Sequence, residues 1–90
     1  MVQVVWTRGA ATDLRAIRAY VAQFSPLAAQ KLAARLFAAA RGLETSPDRG
    51  RPIAHDRREL AVIPPYLIRY VHRNEQVVVL EVRHGARRPD

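Results

Sequence analysis

Residues 66–88 read Tyr-Leu-Ile-Arg-Tyr-Val-His-Arg-Asn-Glu-Gln-Val-Val-Val-Leu-Glu-Val-Arg-His-Gly-Ala-Arg-Arg. β-Branched and aromatic residues dominate on both sides of a short polar break at Arg73-Asn74-Glu75, which is the pattern of two strands joined as a hairpin. The far end of the second strand gathers Arg83, His84, Arg87 and Arg88, the densest group of anion-binding or titratable side chains in the chain. With a three-residue turn His72 lies opposite Gln76. Tyr66, Ile68, Tyr70, Val78, Leu80 and Val82 then share an apolar face, and Leu67, Arg69, Val71, Val77, Val79, Glu81 and Arg83 share a mixed one. A two-residue turn exchanges the facing sets, because the side-chain period along a strand is two.

Upstream, residues 2–6 form a short β-type run, and Thr7 is placed to cap a helix over residues 9–24 by accepting from an unpaired backbone N–H. Ala10, Leu14, Ile17, Val21 and Phe24 recur at helical spacing as one apolar stripe. Ser25-Pro26 punctuates the chain. Proline disfavours helix at the residue before it, and the pair suits the N-cap and first turn of a second helix over residues 26–43. Leu32, Leu36, Ala40 and Leu43 form its stripe, widened by Phe37, and its many alanines permit close approach of the two axes. Residues 45–56 carry Pro, Ser, Asp and Gly without periodicity and read as a loop. Residues 58–63 form a further strand that stops at Pro64-Pro65, since proline cannot donate to a ladder.

The expected fold is α+β in one domain of 90 residues. It comprises an N-terminal strand, an antiparallel helical hairpin, then a three-strand antiparallel meander, with the helices on one face of a single small sheet. A chain of this length buries only about 60–65% of its unfolded surface, so it is marginal alone, with room for a partner to matter to its stability. The helices cover the apolar face. Leu67, Val71, Val77 and Val79 on the other face, with Arg69 among them, then form a patch for a partner, unless the 45–56 loop folds over them.

Composition narrows the chemistry. There is no cysteine, hence no disulfide framework and no thiol nucleophile. The three histidines are scattered and show no metal-ligand spacing, and no phosphate-binding glycine motif occurs, so neither a metal nor a cofactor is expected. No run approaches the ~20 apolar residues of a membrane span, and the N-terminus lacks the basic and apolar regions of a signal peptide. A soluble cytoplasmic protein is expected. The net charge is +7, with 14 of the 15 basic residues Arg and only Lys31 otherwise. Codon bias accounts for part of the preference for Arg over Lys but not for the excess of cations, which points to an acidic partner, nucleic acid or protein. Cleavage of RNA needs a base, an acid and cations around the phosphate. Arg58, Arg69, Arg83 and His84 are the candidates, with Arg87 as a further clamp.

The order Trp6, Ala10, Asp13-Leu14, Ile17, Tyr20, then Ser25-Pro26, Ala29, Leu43, Pro47, Gly50-Arg51, Arg58-Glu59-Leu60, Tyr66-Leu67-Ile68-Arg69-Tyr70 and Val79 to Arg87 resembles the RelE/ParE superfamily of bacterial toxins. The likeness covers nearly the whole chain, and its terminal His84-Gly85-Ala86-Arg87 resembles the ParE branch more than the RelE branch. The resemblance implies the toxin half of a type II toxin–antitoxin pair, neutralised in a hetero-oligomer by a ParD-like antitoxin with an acidic C-terminal segment. ParE-type members poison DNA gyrase, and RelE-type members cut mRNA on the ribosome. No Tyr follows Arg87 where many nuclease members have one, and residues 49–57 hold no Lys. These departures favour a gyrase-binding toxin that is not itself an enzyme. Arg83, His84, Arg87 and Arg88 would engage the target, and Leu67, Arg69, Val71, Val77 and Val79 would receive the antitoxin. A ribosome-dependent endoribonuclease is the alternative. A basic nucleic-acid-binding domain without toxicity is the second.

Overall fold

The computed structural model describes residues 1–85. Strand β1 (Gln3–Trp6) leads into helices α1 (Arg8–Ala22) and α2 (Pro26–Arg41), a 3-10 turn at Gly42–Glu44, and then β2 (Arg51–Ile53), β3 (Arg57–Ile63), β4 (Tyr66–Arg73) and β5 (Gln76–His84). The strands form one sheet in the order β1-β5-β4-β3-β2, with β1 parallel to β5 and every other pair antiparallel. The α+β expectation therefore holds, with one strand more than the sequence suggested. β2 lies within the stretch read as loop, because three residues with Pro52 among them carry too little periodicity to announce a strand.

Both helices begin at the expected caps. Thr7 Oγ1 accepts from the Ala10 N–H at 3.0 Å, and Ser25 Oγ accepts from the Ala28 N–H at 3.1 Å with Pro26 in the first turn. The core lies between the hairpin of helices and one sheet face. Ala10, Leu36, Ala40 and Leu43 meet Leu60, Ile63, Ile68, Tyr70, Val77, Val79 and Val82 there. Phe24 and Phe37, placed on the apolar stripes by their spacing, are instead largely exposed, Phe37 stacking on Trp6 with ring centroids 5.8 Å apart.

The β4–β5 register departs from the expectation in an instructive way. Arg73 pairs with Gln76, so the turn has two residues, Asn74 and Glu75, and Asn74 adopts a positive φ of 56°. Pairing continues as His72–Val77, Val71–Val78 and Tyr70–Val79, then shifts by one to Arg69–Glu81, Ile68–Val82, Leu67–Arg83 and Tyr66–His84. Leu80 is the residue left over, a β-bulge. Beyond the bulge the faces are those predicted. On the turn side of it they are exchanged for β5, so Val77 and Val79 are fully buried and do not belong to the open face, where Val78 takes their place. The bulge allows Val77, Val79 and Val82, with their odd spacing, all to face the helices. A register shift between Leu60 and Ile63 of β3 does the same for that pair.

β1 ends at Trp6, so β5 has no strand neighbour on that side beyond Val79. Helix α1 supplies the missing partners: Thr7 Oγ1 donates to the Leu80 carbonyl at 3.3 Å, and Asp13 Oδ2 accepts from the Val82 N–H at 3.0 Å. At the opposite end of the sheet the Tyr70 hydroxyl donates to the Pro47 carbonyl at 2.7 Å and accepts from the Gly50 N–H at 2.9 Å. These bonds hold the segment before β2 against the core. A Cβ on Gly50 would come within 2.9 Å of the Tyr70 ring, so the close approach itself requires glycine. Tyr70→Phe leaves the Gly50 N–H buried without an acceptor. It should lower the unfolding free energy by about 1–3 kcal/mol in urea titrations and accelerate amide exchange at Gly50.

Candidate functional site: a charged open face and an adjoining cleft

The sheet face away from the helices carries a transverse row of alternating charge. Arg51, Glu59, Arg69 and Glu81 are direct register partners across β2, β3, β4 and β5. Arg51 Nη2 lies 2.9 Å from Glu59 Oε1, Arg69 Nε lies 2.9 Å from Glu59 Oε2, and Arg69 Nη1 lies 3.3 Å from Glu81 Oε2. Glu59 and Arg69 are the sheltered members, with side chains 6% and 12% exposed, and each is bonded to the other. A buried charge is tolerable only when paired and hydrogen-bonded, and both conditions are met. Arg57 and Arg83 close around the outer carboxylate, at 3.9 Å and 3.7 Å from Glu81. Leu67, Val71 and Val78 flank the charges, each half-buried.

Among the nuclease candidates, the structure brings Arg69 and Arg83 together at Glu81 on this face, sends Arg58 behind the sheet, and turns His84 to a cleft that Arg83 also borders. Arg58 pairs with Tyr70 in register and so projects to the helix side of the sheet. There its Nη1 donates to the carbonyls of Gly50 at 2.7 Å and Asp48 at 3.1 Å, clamping the segment before β2. The same segment is held by His72, whose Nδ1 lies 2.9 Å from Asp48 Oδ1. That hydrogen bond, aided by the charge of Arg58 against a smaller opposing effect of burial, holds the Asp48 carboxyl below its ordinary range.

His84 follows Arg83 and therefore faces the other way. Its ring meets Tyr66 edge to face at 5.3 Å between centroids. The two line an open cleft of about 450 Å³ between α1 and the end of β5, with Asp13, Ile17, Tyr20, Val82 and Arg83. Tyr20, and beyond it Phe24 and Leu27 at the tip of the helical hairpin, expose large apolar surface; Phe24 is 73% exposed. Such a concentration beside a cleft marks an interaction site. Gly85 closes this end: its N–H donates to the Pro65 carbonyl at 2.6 Å, and a Cβ there would come within 2.8 Å of that oxygen. Arg87 and Arg88, expected to engage a target, lie outside the described residues.

Sequence reading missed Arg51, Arg57 and Glu59 as members of the open-face network, since Arg51 is placed by the unrecognised β2 and the other two by the register of β3 on β4. The spacing along the hairpin places Glu81 on the same face as Arg69, and that is the available signal.

Burial pushes the Glu59 carboxyl up, but the hydrogen bonds from Arg69 and Arg51 outweigh it and hold the group below its ordinary value of 4.5. The unfolded chain thus takes up this proton at higher pH than the folded one. The stability supplied by the ionised carboxylate is present above pH 4.5 and is lost as pH falls through the folded value. Glu59→Gln should therefore be less stable than the parent chain at neutral pH, with the gap narrowing in strong acid. Urea unfolding of both chains at neutral and acid pH checks this, Asp48 being common to the two.

The chain matches the model of the ParE toxin of the type II toxin–antitoxin system, parDE, over residues 4–89. It is 53% identical to a protein named Toxin RelE2 of Caulobacter vibrioides over 87 residues, spanning 97% of this chain and 99% of that one. Its structure resembles a chain of the chromosomal ParDE toxin–antitoxin system from P. aeruginosa with a TM-score of 0.83 at 26% sequence identity, covering 93% of this chain and 96% of that one. With the caps, the five-stranded sheet and the family match in agreement, the chain belongs to the ParE toxin family of type II toxin–antitoxin systems.

Proposed function

We propose that this toxin acts by binding DNA gyrase, without chemistry of its own, and that a cognate antitoxin neutralises it by covering the open sheet face. The dispersal of the nuclease candidates is the observation that carries this reading. Arg58 is engaged with backbone carbonyls behind the sheet, Arg69 lies against Glu59 and Glu81 on the open face, and Arg83 and His84 border a separate cleft. General acid–base cleavage needs a base within hydrogen-bond reach of its proton and cations on the same phosphate. In this reading Arg83 and His84 engage gyrase at the cleft, with Arg87 and Arg88 extending the contact. Leu67, Arg69, Val71 and Val78 meet the antitoxin. The likeness to a ParDE chain supports the antitoxin, and the +7 charge suits an acidic segment on it. Both partners place the action in the cytoplasm.

The name of the Caulobacter relative favours a second reading, RelE-like cleavage of mRNA on the ribosome. The two are separable with the purified chain. Gyrase binding predicts loss of supercoiling activity and accumulation of cleaved gyrase–DNA complexes, with His84→Ala weakening both about tenfold or more, and mRNA left intact in a translation extract. Cleavage at ribosomal A-site codons that disappears with His84→Ala or Arg58→Ala would overturn the proposal.

A further inference from the structure

The cations of this chain fall into two populations. The arginines of strands β2 to β5 each lie within 3.9 Å of a carboxylate. Those of the helical hairpin do not. Arg8, Arg15 and Arg18 of α1 and Lys31, Arg35 and Arg41 of α2 are all exposed, and among the described residues none of the six has an ion-pair partner. Arg15 donates only to the neutral Thr12 Oγ1, at 3.3 Å. The sole carboxylate between residues 8 and 41 is Asp13, and it is turned inward to the Val82 N–H at 3.0 Å. The hairpin therefore carries most of the uncompensated positive charge of the described chain.

These charges share one surface. Ala10, Leu14 and Ile17 of α1 and Leu32, Leu36 and Ala40 of α2 meet the core, so the opposite sides of both helices point away from the sheet. Helical spacing puts Arg8, Thr12, Arg15 and Ala19 on the outward side of α1, and Lys31, Ala34, Ala38 and Arg41 on that of α2, every one of them exposed. Arg18 and Arg35 flank these rows. From Arg8 to Arg18, and again from Lys31 to Arg41, the helix axis advances about 15 Å. That is the length of about four to five base-pair steps of duplex. Helix α1 also borders the cleft through Asp13, Ile17 and Tyr20, so a single element joins the cleft to the cationic surface.

We infer that the outward face of the helical hairpin binds the phosphate backbone of duplex DNA, and that the toxin uses it to hold the DNA that gyrase carries. This rests on the gyrase reading above and adds to it a direct contact with nucleic acid. Cations without carboxylates among them select a polyanion. What lies between them selects its kind. Protein interfaces centre on buried aromatic or aliphatic anchors, but the outward side chains between these cations are Thr12, Ala19, Ala34 and Ala38. The large exposed apolar groups gather elsewhere, Tyr20, Phe24 and Leu27 toward the tip of the hairpin and Phe37 against Trp6. A single strand is gripped on aromatic platforms within the cationic surface, which these positions also lack. Two rigid helices side by side, with cations along each, match the regular phosphates of a duplex.

The full chain is titrated by anisotropy into a fluorescein-labelled duplex of about 30 base pairs across a salt series. The logarithm of the affinity should fall against that of salt with a slope of about −4, as expected for about four to five phosphate contacts. Arg15→Gln and Lys31→Gln should each weaken binding about fivefold at physiological salt and make the slope shallower by about 0.9. Arg73→Gln removes the same charge from an exposed sheet position paired with Asp56, and should change both by much less. In the parent chain, backbone amides of α1 and α2 should shift first as duplex is added, a readout that needs no variant. Equal effects of the sheet and hairpin substitutions, a salt-independent affinity, or amide shifts confined to the sheet would overturn the proposal. Tighter binding of an octaglutamate peptide or of phosphatidylglycerol vesicles, weakened by the same hairpin substitutions, would overturn it in favour of an acidic protein or a lipid surface. Within the gyrase complex, the double variant Arg15→Gln, Lys31→Gln should bind DNA-free gyrase as the parent does yet accumulate about tenfold less cleaved gyrase–DNA complex, and undiminished accumulation would overturn the contact there. If the parent chain does not bind DNA-free gyrase, the gyrase reading itself fails, and the duplex titration still decides the surface.

Discussion

Arg69 holds two carboxylates at once, Glu59 on β3 and Glu81 on β5, and the alignment of the sheet depends on that bridge. The three residues are direct register partners, and Arg51 extends the row to β2. A slip of one residue between β3 and β4 would leave Glu59 buried without its Arg69 partner, which is far costlier than the net contribution of the pair when formed. The row therefore acts chiefly as a register lock. Its stabilising value is secondary, because removing two charges from water offsets much of what they gain from each other.

The bulge at Leu80 is the counterpart of that lock. Without it Arg69 would face Leu80, and the apolar side chains of β5 could not all reach the helices. With it, Glu81 meets Arg69 while Val77, Val79 and Val82 enter the core. The local loss of ladder bonding is made good by α1, through Thr7 at the Leu80 carbonyl and Asp13 at the Val82 N–H. The first two turns of the helix thus serve both as the start of the hairpin and as the missing neighbour of β5. The same residues position the cleft, since Asp13 and Val82 form part of its lining.

This arrangement divides the basic residues into groups with different tasks. Arg58, with Tyr70 and His72, fastens the segment before β2. Arg57, Arg69 and Arg83 surround a carboxylate on the open face. His84 belongs to the cleft beside exposed aromatic surface.

Much of the fold was legible in the sequence because it rests on local signals. Thr7 and Ser25-Pro26 cap the helices as their chemistry dictates, Pro64-Pro65 ends β3, and the β-branched run of 66–84 forms the hairpin. The excess of cations and the absence of cysteine are equally properties of the chain alone. Only the tertiary structure decided the rest. Val77 and Val79 moved from the open face to the core because a two-residue turn and a bulge act together, and neither is visible in a side-chain pattern of period two. Strand β2, the parallel pairing of β1 with β5, and the partners of each arginine all depend on contacts between residues distant in sequence. A sequence specifies that an arginine is present; which carboxylate or carbonyl it meets is set by register.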